Sequence, residues 1–176
     1  MAVLNIPSAP NAILFKKTQR VKKIDWKIQQ LIDDMIETMY DAQGVGLAAN
    51  QVGVPYRICV IGIPEEEEVR VLINPEIIVA KGERELEEGC LSVPGYRGTV
   101  KRSTEVRVRA KDRNGNSIRI KAENDLLAQA LEHEIDHLNG ILYLDRLVDP
   151  NAIWELSPIE SDPSHSDDEE ASLSPI

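Results

Sequence analysis

The chain has 176 residues, of which 42% are hydrophobic and only 4% aromatic, and its formal net charge is −10. This length fits one domain with a core built mainly from aliphatic side chains. No segment approaches the roughly 18 consecutive apolar residues of a membrane span, and the first residues lack the basic start and apolar stretch of a signal peptide. We therefore expect a cytoplasmic protein that does not bind membranes.

The negative charge is concentrated at the C-terminal end. Residues 155–176 contain seven acidic residues and no Lys or Arg, which leaves 23 acidic against 20 basic residues in the rest of the chain. This balance argues against direct nucleic-acid binding by the body of the protein. Residues 157–176 are rich in acidic residues, Ser and Pro and poor in apolar residues, so we expect a disordered tail that follows a domain over residues 1–156.

The first half of the domain is predicted to contain one helix followed by strands. Apolar residues recur at helical spacing over residues 24–43, between an expected N-cap at Asp25 and an expected stop at Gly44. The glycine-rich segment GVGLAANQVG (44–53) is too irregular for a helix. Strand character then appears in three segments: 57–63, 69–77 and the first part of 85–95, which is expected to end in a Pro-Gly turn.

The second half of the domain is predicted to combine a hairpin with a buried helix. Alternating apolar residues flank the Asn-Gly pair of RNGN (113–116), the strongest short signal for a β-hairpin. Asn124 or Asp125 is expected to cap a helix that ends near Gly140 and has little purely polar surface. The apolar segment 140–148 predicts a strand or extended stretch. This order of elements predicts an α+β domain.

The second helix contains the segment LEHEIDHLNG (131–140), in which His133, Glu134 and His137 follow the pattern His-Glu-x-x-His. Residues four apart lie on one face of a helix, one turn apart. His133 and His137 can therefore bind one metal ion, while Glu134 acts as a general base on a water molecule next to it.

Two histidines leave such a site without its third protein ligand, and three sources are possible. A longer protease motif would place a histidine at position 143, where this chain has Tyr143. A zinc metallopeptidase could use a downstream acid, Glu155 or Glu160, although both border the acidic tail. The third source is a cysteine: Cys59 lies in an apolar strand segment, which favours a core position, whereas Cys90 precedes a turn.

Three separated segments resemble the signature motifs of peptide deformylases, in the same order and spacing: GVGLAANQ (44–51), EGCLS (88–92) and HEIDH (133–137). The resemblance extends over residues 24–148. It implies the α+β deformylase fold, with antiparallel sheets around a central helix that carries the His-Glu-x-x-His motif. It also implies removal of the formyl group from the N-terminal N-formylmethionine of new polypeptides, with release of formate.

The same resemblance assigns roles to individual residues. The implied metal ligands are Cys90, His133 and His137. Glu134 would be the general base and then the general acid, and the oxyanion would accept hydrogen bonds from the side-chain amide of Gln51 and the backbone N–H of Leu91. One divalent metal ion per chain is expected, Fe²⁺ by the resemblance, although Zn²⁺, Ni²⁺ or Co²⁺ would suit the same donors.

Substrate contacts are expected in the glycine-rich segment and on the second helix. Val45 and Gly46 would pair with the substrate backbone, because glycine allows close approach of another chain. A pair between Glu88 and Arg102 would support the metal ligands. The methionine pocket is expected to be lined by Leu126, Gln129 and Ala130.

The expected partners are the N-formylmethionyl peptides of nascent chains. Some bacterial deformylases carry a basic C-terminal helix that docks on the ribosome, and the acidic tail here predicts that this route is absent. We expect a monomer. Initiation with formylmethionine and the lack of a targeting segment predict the bacterial cytoplasm, and an organellar origin after removal of a transit peptide is the alternative.

Overall fold

The structure, a computed structural model, describes residues 2–64, 66–157 and 175–176. Its α-helices are α1 (Trp26–Asp41) and α2 (Leu126–Leu138). Its strands are β1 (Gly46–Ala48), β2 (Ile58–Ile61), β3 (Arg70–Lys81), β4 (Arg84–Cys90), β5 (Val93–Arg102), β6 (Glu105–Lys111), β7 (Ser117–Glu123) and β8 (Ile153–Glu155). Short 3-10 helices cover Ala12–Phe15, Ala49–Val52 and Tyr143–Arg146.

The strands form two antiparallel sheets. The first has the order β1-β2-β3-β6-β7, and the second has the order β4-β5-β8. Helix α2 contacts every strand of the first sheet and is buried along nearly its whole length. The predicted α+β class, with antiparallel sheets around a central helix, is therefore confirmed.

The two α-helices begin where their capping residues predict. The Asp25 side chain accepts hydrogen bonds from the backbone N–H groups of Lys27 and Ile28, and the Asp125 side chain accepts one from Ala128. Each bond satisfies a backbone donor that has no partner within the helix. Helix α1 is shorter than the predicted 24–43 at both ends.

The first sheet is covered on both faces at its strand β2. Cys59 and Ile61 belong to the apolar cluster that includes α2, whereas Ile58 and Val60 belong to the cluster that includes α1. Successive side chains of a strand point to opposite faces, so a strand covered on both sides is apolar throughout. Cys59 is fully buried in this strand, as expected of a core residue.

Two local predictions are wrong. The chain reverses at Leu91 and Ser92, and the Pro-Gly pair at 94–95 lies inside β5, where both residues are exposed. Proline is tolerated near the start of a strand when its missing N–H faces solvent. Segment 140–148 forms a 3-10 helix over Tyr143–Arg146, because the Asp145 carboxylate caps the N–H of Leu142.

The expected tail lies mostly outside the described residues, which omit 158–174. The described Pro175 and Ile176 pack against the domain: the Val45 N–H donates a 3.0 Å hydrogen bond to the Pro175 carbonyl, and Ile176 is only 3% exposed. For these two residues the structure differs from the expected disorder, because Ile176 supplies an apolar side chain to the core. No helix among the described residues is long and apolar enough to cross a bilayer.

We expect Gly140 to be essential for the end of α2. Its φ is +76°, and a Cβ placed there would lie 2.6 Å from the Phe15 carbonyl oxygen. Gly140→Ala should therefore lose about 1 to 2 kcal/mol of unfolding free energy for the left-handed backbone, and at least about 1 kcal/mol more for the contact with backbone atoms. Urea denaturation at constant metal content measures the loss.

Gly53→Ala is the matched control. Gly53 has φ +79°, but no atom lies within 4 Å of a Cβ placed there. This variant should therefore show only the backbone part of the loss. Equal losses for Gly140→Ala and Gly53→Ala would contradict the explanation by contact with Phe15.

Candidate metal centre and active site

The ligand atoms of Cys90, His133 and His137 meet in the core. His133 and His137 lie on successive turns of α2, and Cys90 ends β4. The Nε2 atom of His137 is 3.2 Å from Nε2 of His133 and 3.2 Å from Sγ of Cys90, and all three ligand atoms lie within 4.8 Å of one another. All three side chains are buried.

This spacing fits a tetrahedral metal ion. Metal–nitrogen bonds of about 2.0–2.1 Å and metal–sulfur bonds of about 2.3 Å place the ligand atoms roughly 3.3–3.6 Å apart, close to the two observed separations. Two imidazoles and a thiolate suit iron, zinc, cobalt and nickel. The sequence resemblance and the geometry therefore point to the same three ligands.

The alternative ligands lie elsewhere or outside the described residues. Among the described residues, the Cys90 group is the only cluster of three His, Cys, Asp or Glu side chains with metal-ligand spacing. Glu155 lies in β8, opposite Tyr96 of β5, and Glu160 is outside the described part of the chain. Tyr143 stacks near the His133 ring, with 6.4 Å between the ring centroids, and so contributes packing.

The buried thiol of Cys90 needs a positive charge to ionise. Burial raises the pKa of Cys90 to about 12, although the Ser92 N–H, 3.4 Å from Sγ, acts in the opposite direction. A bound cation stabilises a thiolate at such a position. Burial also lowers the pKa of His137 well below its usual value, which favours the neutral imidazole that binds metals.

Glu88 orients the His133 ring. Its Oε2 atom lies 2.8 Å from Nδ1 of His133, and Arg102 donates two hydrogen bonds to the same carboxylate, at 2.7 and 2.9 Å. Burial alone would raise the pKa of Glu88, but His133 and Arg102 outweigh it and lower the pKa to about 2. The ionised carboxylate accepts a hydrogen bond from Nδ1–H, so that Nε2 presents its lone pair to the metal position.

The supporting network continues through residues that the sequence analysis missed. Arg102 also donates a 2.6 Å hydrogen bond to Asp136, which in turn accepts two hydrogen bonds from Arg146 at 2.8 and 3.0 Å. Asp136 lies within the HEIDH segment, three residues after His133. A carboxylate on such an apolar helix requires a buried partner, and this requirement was the available signal.

Glu134 lies beside the ligands and against the glycine-rich segment. Its carboxylate is fully buried, and neither oxygen has a hydrogen-bond partner among the described residues. Burial raises its pKa well above the usual value. A Cβ at Gly46 would lie 2.8 Å from Cδ of Glu134, so only glycine at position 46 leaves room for this carboxylate.

The Gln51 amide is oriented toward the metal ligands. Its Oε1 atom accepts a 2.9 Å hydrogen bond from the Ala48 N–H, which leaves Nε2 at 3.6 Å from Sγ of Cys90 and 3.3 Å from Oγ of Ser92. Ser92 is a further residue that the sequence analysis did not single out. Leu91 directly follows Cys90 in the turn between β4 and β5.

The residues expected to contact substrate are only partly grouped. The fully buried Ala130 belongs to the same apolar cluster as Val45, and the partly buried Leu126 packs against that cluster. The side-chain amide of Gln129 instead donates a 3.0 Å hydrogen bond to the Glu87 carbonyl. A cleft of about 380 Å³ opens next to Cys90. It is lined by Gln43, Gly89, Cys90, Leu91, Val93, Pro94, Gly95, Tyr96, Arg97, Leu156 and Pro175.

Comparison with known proteins gives one consistent result. The model of the polypeptide deformylase family matches residues 3–152. A peptide deformylase of Dehalococcoides mccartyi is 48% identical over 163 residues, which are 93% of this chain and 97% of that protein. Both matches include the glycine-rich segment, the turn after Cys90 and helix α2.

Solved structures agree with the sequence matches. A peptide deformylase from Legionella pneumophila is 50% identical, with a TM-score of 0.80 over 83% of this chain and 86% of that one. The peptide deformylase from Thermotoga maritima is 35% identical, with a TM-score of 0.81 over 85% of this chain and 100% of that one. The family model covers Cys90, His133 and His137, the solved structures agree with it in fold, and the chain belongs to the polypeptide deformylase family.

Proposed function

We propose that this chain removes the formyl group from N-terminal N-formylmethionine with one divalent metal ion, Fe²⁺, held by Cys90, His133 and His137. The observation that carries the proposal is the meeting of these three ligand atoms next to Glu134, whose carboxylate has no hydrogen-bond partner in the described part of the chain, in a chain of the deformylase family. When bound, the metal supplies positive charge that acidifies water and polarises the formyl carbonyl group.

Glu134 is the general base and then the general acid. It takes a proton from the water molecule whose oxygen bonds to the formyl carbon. The C–N bond then breaks, Glu134 returns the proton to the departing amine, and the products are formate and a free N-terminus. Because no protein donor occupies either oxygen of this carboxylate among the described residues, both are free to exchange protons with water and amine.

Two neutral donors stabilise the oxyanion. The Gln51 Nε2 atom already points to the ligand group, since its Oε1 is fixed by the Ala48 N–H. The Leu91 N–H is next to a metal ligand in the chain. Donors held in place before the reaction cost no reorganisation during it, and one such donor is typically worth about 100- to 1000-fold in rate.

The substrate lies along the glycine-rich segment. Val45 provides backbone hydrogen bonds to the substrate. Gly46 lets the substrate backbone lie close to Glu134, because a side chain at position 46 would displace the Glu134 carboxylate. Leu126 and Ala130 line the pocket for the methionine side chain. Gln129 lies at the border of this pocket, where its side-chain amide is hydrogen-bonded to the Glu87 carbonyl of β4. The formyl carbon bears only hydrogen, so a narrow site admits it and excludes larger acyl groups.

We further propose that the domain over 1–156 works as a monomer on nascent chains in the bacterial cytoplasm. The bacterial origin of the relatives supports this setting. The acidic residues of 157–176 argue against docking on ribosomal RNA through that segment, because like charges repel.

The direct test is formate release from a formyl-Met tripeptide by protein prepared without oxygen. We expect release of formate at saturable rates, and no acetate from the matching acetyl-Met tripeptide, since the larger acyl group does not fit. Metal content is measured on the same sample. Metal-loaded protein that releases no formate would refute the proposed activity.

Glu134→Gln should lower kcat by about 100- to 10,000-fold, the usual contribution of a general base. The metal content should stay unchanged, because Glu134 is not a ligand. Glu132→Gln is the control on the same helix. The Glu132 carboxylate accepts two hydrogen bonds from Ser103 and has no proposed role in the reaction, so this variant should keep nearly normal kcat. Similar losses of kcat in both variants would contradict the role of Glu134.

Cys90→Ala should lose tightly bound metal. Changing a residue that only supports a ligand typically costs 10- to 100-fold in affinity, so removal of the ligand itself should cost at least about 100-fold. Metal per chain after dialysis against a chelator measures the effect. Cys59→Ala, in the core of β2, should retain metal. A full complement of metal in Cys90→Ala would instead support a peptidase-like site with another third ligand.

A further inference from the structure

The described C-terminal residues lie in the groove that the proposed function assigns to substrate. The backbone N–H of Val45 donates a 3.0 Å hydrogen bond to the carbonyl of Pro175. Val45 immediately precedes β1, which is the edge strand of the first sheet. Peptides commonly bind such edges through backbone hydrogen bonds, with their side chains in adjacent pockets.

The Ile176 side chain is buried in the apolar cluster that contains the proposed methionine pocket. It is 3% exposed and belongs to the same apolar cluster as Val45 and Ala130, with Leu126 at the edge of that cluster. Leu126 and Ala130 are the proposed lining of the methionine pocket. A branched aliphatic side chain and a methionine side chain bury similar apolar surface, so one pocket can accept either.

Pro175 also borders the cleft next to the metal ligands. It lines the space of about 380 Å³ that includes Gly89, Cys90 and Leu91. Because Cys90 is a proposed metal ligand, this cleft offers the substrate a route to the ligand group. The carbonyl bond, the buried side chain and the position beside the cleft are three separate observations that place Pro175 and Ile176 in the same groove.

We propose that Pro175 and Ile176 bind this groove within their own chain and compete with the formylated peptide. The inference rests on the proposed function, because it needs the groove to be the substrate site. Seventeen residues separate Ser157 from Pro175. They can extend to roughly 60 Å, well beyond the radius of gyration of about 16 Å for a domain of this size. Tethered segments act at effective concentrations of about 1 mM.

The competition predicts a specific kinetic result. A groove that is filled by its own chain for at least half of the time weakens apparent substrate binding at least about twofold. Ile176→Asp should empty the pocket, because a carboxylate is not stable in an apolar cluster. We therefore expect Ile176→Asp to lower KM for a formyl-Met tripeptide at least about twofold, with kcat unchanged.

Ile78→Asp is the matched control. Ile78 is 43% exposed on β3, so the same exchange there should leave KM unchanged. If Ile176→Asp and the wild type have equal KM while both release formate, the inference fails and the proposed activity stands. If no variant releases formate, the proposed activity itself fails.

Hydrogen exchange gives a measurement that does not depend on turnover. The Val45 amide should exchange slowly in the wild type and at least about twofold faster in Ile176→Asp, with Ile176→Ala in between. Equal exchange in all three proteins would overturn the inference.

A peptide of residues 171–176 should inhibit Ile176→Asp competitively, and lack of inhibition would also count against the inference. A wild-type KM that rises with enzyme concentration would assign the groove to a second copy and overturn binding within one chain.

Discussion

The site depends on a buried chain of charged hydrogen bonds between α2 and the second sheet. Glu88 of β4 binds His133, Arg102 of β5 binds Glu88, and the same guanidinium binds Asp136 one turn further along α2. Removing one member of a buried ion pair typically costs about 3–5 kcal/mol, because the remaining charge stays unpaired. The network therefore holds β4 at a set distance from α2, and Cys90, at the end of β4, is held with it.

Close contact on the other side of α2 sets the chemistry. The glycine-rich segment presses its backbone against Glu134 at Gly46, and the Asn50 amide donates a 2.6 Å hydrogen bond to the His137 carbonyl. Helix α2 is thus fixed between a charged network behind the ligands and an uncharged backbone in front of them. Glu134 is buried between these two surfaces with no hydrogen-bond partner among residues 2–64, 66–157 and 175–176. Such burial is costly in stability and is typical of catalytic groups.

The proposed substrate groove beside β1 would bind a peptide in extended form, and Pro175 and Ile176 have suitable chemistry for it. Pro175 offers a carbonyl without a competing N–H, and Ile176 offers one aliphatic side chain. The many acidic residues before them contribute no apolar surface. The proposed contact is made by these two residues, so formylated peptide at sufficient concentration should displace it.

Much of this protein was predictable from its sequence, because periodicity, caps and ligand spacing are local properties. The sequence by itself determined both helices, the Asp25 cap, a cap at Asn124 or Asp125, the Asn-Gly hairpin, and His133, Glu134 and His137 on one helix. The motif resemblance added Cys90, Gln51 and the family. Only the tertiary structure decided the rest: the Asp136 and Arg146 partners, the turn at Leu91, the bond that ties Gln129 to β4, and the position of Ile176. Those features depend on contacts between residues far apart in the chain, and spacing along a sequence carries no information about such distances.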